Sequence, residues 1–204
     1  MVDISIIVTN YNYGLFLDRC IRSCLKQRSV SHEIIVVDDC STDNSMEIIS
    51  PFLSDITLIQ NKTNLGVAGS SNVGIANAKG RFIIRVDSDD FVHEDMCFFL
   101  WSYLKMNRDA FCVSCDYYLV DKLENKIERK YADTDNISCG VMYRKEMLVQ
   151  LGGYDDKMKH REEEELRKRL DEDYNIHHLR MPFYRYRKHG NNKTTTDEYK
   201  KWKI

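Results

Sequence analysis

The chain has 204 residues, 43% of them hydrophobic and 30% charged, with a net charge of -2. That length suits one domain with a single substantial core, and the composition is that of a globular protein, not a disordered or membrane-embedded one. The near-neutral charge gives no support to a nucleic-acid partner, which needs a basic surface. No apolar run approaches the ~18 residues of a membrane span, and residues 1–8 lack the basic start and long apolar stretch of an export signal. The expected location is cytoplasmic. The seven cysteines are odd in number and scattered, so reduced, mostly buried thiols are expected. Cys112 and Cys115 have zinc-pair spacing, but no second pair follows and the segment reads as a strand.

Residues 4–8 form a short, nearly continuous apolar run, as expected of a strand covered on both faces. Leu15, Leu17, Cys20, Ile21, Cys24 and Leu25 then recur at helical spacing. A second strand is expected over 33–37. Ser41-Thr42-Asp43 supplies an N-cap and an acidic first turn for a helix through Met46, Ile48, Ile49 and Leu53. A strand over 56–60, a helix over 67–79 closed by Gly80, and a strand over 82–86 follow. Met96, Phe99, Leu100, Tyr103 and Leu104 mark another helix. This alternation with short links argues for a parallel, doubly wound sheet. Beyond Ala110 the expectations are strands over 111–120 and 138–143, a short helix near Arg144, a charged helix over 161–170, and a polar tail over 191–204. The fold class is α/β: one domain with a mostly parallel, Rossmann-like sheet flanked by helices. Residues 1–110 form a nucleotide-type first half, and 111–190 a smaller, different second half.

Open α/β sheets bind ligands at the carboxyl ends of their strands. Two such ends are acidic here, Asp38-Asp39 and Asp87-Ser88-Asp89-Asp90. Clustered carboxylates repel one another unless a cation sits among them, and hard divalent cations take oxygen ligands. Tyr11, after the first strand, offers a flat face for a base. Asp38 or Asp39 can accept from a uracil-like N–H, Asp87 from ribose hydroxyls, and Asp89 can hold a cation against a diphosphate. Each has a plainer alternative: a packed aromatic for Tyr11, loop capping for Asp38 and Asp39. No phosphate loop of familiar spacing exists. Gly66, Gly69 and Gly74 do not fit either glycine pattern, so they serve either close ligand approach at Asn64-Leu65-Gly66 or close helix–sheet packing.

These segments in this order resemble a family 2 glycosyltransferase with the GT-A fold. The residues that carry the resemblance are Ser5-Ile6-Ile7-Val8-Thr9-Asn10-Tyr11-Asn12, Ile35-Val36-Val37-Asp38-Asp39, Asn64-Leu65-Gly66 with Asn72-Val73-Gly74, Asp87-Ser88-Asp89-Asp90, Gly152-Gly153-Tyr154-Asp155, Glu162-Glu163 and Tyr186-Arg187-Lys188-His189. The resemblance implies that Thr9, Tyr11, Asn64, Ser88 and one of Asp38/Asp39 hold the nucleotide, Asp87 the ribose, and Asp89 with His189 a manganese or magnesium ion. It makes Glu163, with Glu162 next, the general base. Cys40, Ser71 and Glu163 depart from the common Gly, Arg and Asp. The implied activity is inverting, metal-dependent transfer from a nucleotide sugar, a UDP-sugar, to a hydroxyl of a glycan or lipid-linked acceptor. Peripheral contact with the inner face of a membrane is admitted.

Inversion needs one base opposite the leaving group, within about 3 Å of the acceptor hydroxyl. A metal removes the need to protonate the leaving diphosphate. Against this stands a plain reading of 162–165. Glu163–Arg167, Glu164–Lys168 and Glu165–Arg169 have the favourable i,i+4 order of a solvated, salt-bridged helix. The remaining histidines, His32, His93, His160, His177 and His178, show no ligand spacing and read as surface residues. Two rival functions remain: a magnesium-binding phospho-receiver domain, whose short fold would leave the late acids and His189 idle, and a donor-binding module without catalysis.

Overall fold

The computed structural model describes residues 2–170, 174–190 and 192. Most of the expected tail lies outside them. Strand β1 (Ile4–Asn10) is followed by α1 (Gly14–Leu25), β2 (His32–Asp38), α2 (Ser45–Ile49) running into a 3-10 turn, β3 (Thr57–Gln60), α3 (Gly66–Asn77) and β4 (Phe82–Asp87). After the two-residue β5 (Phe91–Val92) come α4 (Met96–Met106), β6 (Ala110–Val120), β7 (Lys126–Lys130), β8 (Val141–Arg144), α5 (Lys145–Gln150), α6 (Glu162–Lys168) and β9 (Asn175–Arg187).

Among the described residues nine strands make one sheet, in the order β3-β2-β1-β4-β8-β6-β9-β5 with β7 on β6. β3, β2, β1 and β4 are parallel. β8 turns the direction between β4 and β6, and β9 lies parallel to β6. Strand alternation sorts the core into two layers. Ile4, Ile6, Val8, Ile34, Val36, Ile84 and Val86 pack with Leu17, Cys20, Ile21 and Cys24 of α1 and Met96, Leu100 and Leu104 of α4. Ile7, Ile35, Val37 and Ile83 pack on the other face with Ala68 and Ile75 of α3, Leu148 of α5 and Leu166 of α6. Each Val, Leu, Ile or Met among them contributes about 1.5–3 kcal/mol by leaving water.

α3 lies close on β1. A Cβ at Gly74 would meet Ile7 Cγ2 at 2.5 Å, so helix–sheet packing is the role of this glycine. Three strands were not expected from sequence: β5, β7 and β9. β7 is a charged strand paired, among the described residues, to β6 alone, the composition that keeps an edge from pairing further. β9 carries Pro182 inside it. The ladder shifts there, with Cys115 opposite Leu179 but Asp116 opposite Pro182, which is where a proline is tolerated.

Candidate active site

Register sets the first wall of the site. Thr9 lies between Val37 and Asp87, and Asn10 lies opposite Asp38, so the carboxyl ends of β1, β2 and β4 are level. The second wall is α6. Ile83 of β4 is opposite Tyr143 of β8, which puts Tyr143 on the same face as Ile83 and, two residues on, Arg85. That is the face α6 covers. Glu162 and Glu163, in its first turn, therefore meet Arg85 and Tyr143.

Between these walls runs a cleft of about 460 Å³. Thr9, Tyr11, Asp39, Asp87, Ser88, Asp89, Glu162 and Glu163 line it. Tyr117 and Leu119 of β6, Tyr186 of β9 and residues 136–139 and 159–161 close it. Asp38, Asn64 and His189 of the expected set do not line it. Asp38 is 2% exposed and accepts Asn10 Nδ2 at 2.9 Å and the Ser41 N–H at 3.1 Å, which is loop bracing. Asn64 accepts the Gly66 N–H at 3.1 Å. His189 lies behind Asp89, its Nε2 at 2.9 Å from Asp89 Oδ2 and its ring 4.6 Å from that of Phe16.

Asp39 lines the cleft but also fixes the loop before α3. It accepts the Leu65 and Gly66 N–H groups, each at 2.8 Å, and Asn61 Nδ2 at 2.9 Å. Tyr11 is 38% exposed, so a face of its ring is open. Asp87 Oδ2 accepts the Cys139 thiol at 2.9 Å, and Oδ1 lies 3.2 Å from Arg85 Nε. Asp89 Oδ2 also accepts Asn192 Nδ2 at 3.3 Å, and its carbonyl accepts Arg187 Nε at 2.9 Å. Asp90 turns away into the core. It accepts the Tyr184 hydroxyl at 2.8 Å and the Arg187 N–H at 2.8 Å. Burial, then the charges of Asp89 and Asp87, push its carboxyl well above the usual range.

The late acids are buried, at 4% for Glu162 and 5% for Glu163. Arg85 Nη1 is 2.9 Å from Glu162 Oε1, so one buried guanidinium joins Asp87 to Glu162. Both oxygens of Glu163 accept the Tyr143 hydroxyl at 2.9 Å, and Arg167 Nε reaches Oε1 at 3.1 Å. Burial pushes the Glu163 carboxyl up, and Arg167 and Tyr143 oppose that only in part. Two of the three expected helix pairs form, Glu163–Arg167 at 3.1 Å and Glu165–Arg169 at 2.8 Å, whereas Glu164 turns to Arg161 at 3.2 Å. The salt-bridged reading of α6 is therefore correct as far as it goes, and coexists with Glu163 facing the cleft.

Sequence reasoning did not single out Arg85, Tyr143 or Cys139. Arg85 had a visible signal, a charge inside a strand otherwise buried on both faces. His178 is also more than a surface residue, since its Nδ1 lies 2.6 Å from Ser114 Oγ, and His160 lines the cleft.

A hard divalent ion fits the mouth of β4. Asp87 and Asp89 both line the cleft, Ser88 Oγ is buried without a hydrogen-bond partner among the described residues, and Asp87 Oδ1 there has the Arg85 ion pair but no hydrogen bond. Asp87, Asp90 and Cys139 also bring three ligand atoms within 4.8 Å. Asp90 is already held by Tyr184 and Arg187, and a thiol is a soft donor, so the oxygens of Asp87 and Asp89 suit such an ion better.

Residues 5–181 match the family model described as glycosyl transferase family 2. The chain belongs to that family. Its fold is GT-A, mixed α/β with β1 to β4 parallel. GlyG, a glycosyltransferase of Streptococcus pneumoniae serotype 4, is 40% identical over 122 residues, covering 58% of this chain and 40% of GlyG. An uncharacterised glycosyltransferase of Haemophilus influenzae is 39% identical over 119 residues, covering 53% of this chain and 48% of that protein. The family 2 chain thus spans less than half the length of either relative. Among solved structures, S. aureus TarS 1-349 in complex with UDP-GlcNAc superposes with a TM-score of 0.82 at 20% identity, over 96% of this chain and 61% of that one. The mannosyltransferase PcManGT of Pyrobaculum calidifontis, in complex with GDP-Man and Mn2+, gives 0.73 at 16% identity, over 96% and 58%. At that identity the superpositions speak for the fold. No helix among the described residues is long and apolar enough to cross a membrane.

Proposed function

We propose that this chain transfers a sugar, with inversion, from a UDP-sugar to a hydroxyl of a glycan or lipid-linked acceptor. The observation that carries the reading is the meeting, in one cleft, of the strand-end acids Asp39, Asp87 and Asp89 with the acid pair Glu162 and Glu163. Family membership supports sugar transfer. The names of relatives support a glycan acceptor: poly(ribitol-phosphate) beta-N-acetylglucosaminyltransferase, chondroitin synthase and hyaluronan synthase. The phospho-receiver rival has no such support.

In this reading Thr9, Tyr11 and Asp39 hold the base, with Tyr11 stacking on it. Asp38 and Asn64 act behind them by fixing the two loops. Asp87 meets the ribose, and Ser88 lies beside it. Asp87 and Asp89 would hold a manganese or magnesium ion, with His189 behind Asp89. When bound, that ion neutralises charge on the departing diphosphate, worth several kcal/mol. Glu163 takes the proton of the acceptor hydroxyl. Its raised pKa makes it a stronger base than an exposed glutamate, and Tyr143 and Arg167 fix its direction. Glu162, paired with Arg85, is the second candidate for that role. Residues 136–139 and 159–161 form the acceptor side.

The test is a panel of nucleotide sugars with manganese, reading release of nucleotide diphosphate and the anomeric configuration of the product. A UDP-sugar turned over with inversion supports the reading. Turnover of a GDP-sugar alone would refute the uridine assignment, and retention would refute the single-base mechanism. Full UDP affinity in chelator would refute the metal role.

A further inference from the structure

Strand alternation gives the outer sheet two faces with different surroundings. Tyr117, Leu119 and Tyr186 face the catalytic cleft. Their neighbours Tyr118 and Arg185 face the other way. Arg185 of β9 is level with Phe91 of β5 and with Tyr118 of β6. This opposite face floors a second, shallower cleft of about 390 Å³, walled by Arg19, Ser23 and Lys26 of α1, by residues 91–94, and by Glu124 and Lys126 of the β6–β7 hairpin.

The charges there do not balance locally. Its two acids are already engaged. Glu94 pairs with Arg28 at 3.2 Å, and Glu124 pairs with Arg19 at 3.0 Å and Arg187 at 3.2 Å. Lys26, Lys126 and Arg185 form no ion pair among the described residues. Lys126 Nζ and the Arg185 guanidinium instead both lie over the Tyr118 ring, at 4.5 and 5.1 Å. Arg185 is half-buried, and among the described residues its guanidinium hydrogen-bonds only the Pro182 and Tyr184 carbonyls, at 2.5 and 3.1 Å. Burial lowers its pKa. A half-buried guanidinium without an acid is costly to keep, and a planar fork in a cleft that two lysines also line suits phosphate oxygens.

We infer that this second cleft binds a phosphate group, supplied by a membrane lipid headgroup or by a soluble phosphate ester, between Arg185, Lys126 and Lys26. The inference does not depend on the donor reading. The two sites are on opposite faces of β6 and β9, so occupancy of one leaves the other open.

Inorganic phosphate is titrated into the full chain in chelator, by calorimetry and thermal shift, against Lys126→Gln and Arg185→Gln. The wild type binds. Each variant binds about tenfold more weakly, as expected for loss of one charge-assisted contact. Lys126 is exposed on an edge strand, so its variant folds even if Arg185→Gln does not. Vesicles of phosphatidylcholine with and without phosphatidylglycerol identify the source. Charge-dependent flotation that falls in both variants assigns a lipid headgroup, and phosphate binding without flotation assigns a soluble ester. Manganese-dependent UDP binding stays at its wild-type value in both variants. Unchanged phosphate affinity in Lys126→Gln and Arg185→Gln, or binding of neither probe, overturns the inference. Failure of UDP to bind the wild type would instead count against the donor site alone.

Discussion

Glu163 lies in the first turn of a short helix, where four consecutive glutamates invite a purely electrostatic explanation. What separates it from its neighbours is burial with a hydroxyl on both carboxylate oxygens. Replacing Glu163 by Gln should lower transfer by about 10²–10⁴-fold and leave UDP affinity in place, as read by steady-state rates beside calorimetry. Tyr143→Phe is subtler. Tyr143 lowers the Glu163 pKa and burial raises it, so losing the hydroxyl raises it further. The base works only when ionised. Activity therefore rises with pH through the folded pKa of Glu163, and the acidic limb of the rate profile moves to higher pH in Tyr143→Phe. An unmoved limb would mean that Glu163 is not the titrating base. Asp89→Asn should weaken manganese-dependent UDP binding by about tenfold or more, as expected for loss of a charged contact, while leaving metal-free binding unchanged.

Among the elements, Asp43 joins two helix starts. It accepts the Gly14 N–H of α1 at 2.9 Å and the Ser45 N–H of α2 at 3.0 Å. Burial alone would push its carboxyl up, but these bonds and the Ser45 hydroxyl outweigh that and hold it below its ordinary value. Its contribution is present above the unfolded pKa and is lost as pH falls through the folded one. Asp43→Ala should cost about 1 kcal/mol near neutral pH, and the deficit in denaturant midpoint should shrink in acid. Gly74→Ala, driven against Ile7, should cost about 1–3 kcal/mol without touching the cleft. The donor-side elements were legible in the sequence because buried parallel strands and amphipathic helices carry strong periodic signals. β7 and β9 were not. A charged edge strand has no apolar alternation, and the arginines and histidines of β9, with Pro182 at a ladder shift, hide a 13-residue strand. The acids of the site were legible because strand ends carry them. Arg85 and Tyr143 were not, since their role depends on α6 covering that one face of the sheet. Asp38 and Asp39 could not be told apart by sequence: both are acids after one strand, and only the loop bonds show that Asp38 faces away from the cleft.

At the scale of the whole molecule, one sheet carries Asp39, Asp87 and Asp89 at the carboxyl ends of its parallel strands and receives the late glutamates from a helix laid over one face. Asp87, Arg85 and Glu162 form a continuous chain of charge, buried at Arg85 and Glu162, between the end of β4 and α6. A base and a donor site this close have a joint signature: removing the base should stop turnover without disturbing the donor. The most direct test is therefore UDP binding and nucleotide diphosphate release measured together, with manganese, on wild type and Glu163→Gln. The expected result is equal UDP affinity in both proteins and release from a UDP-sugar by the wild type alone. Equal release by both proteins, or no UDP binding by the wild type, would contradict it.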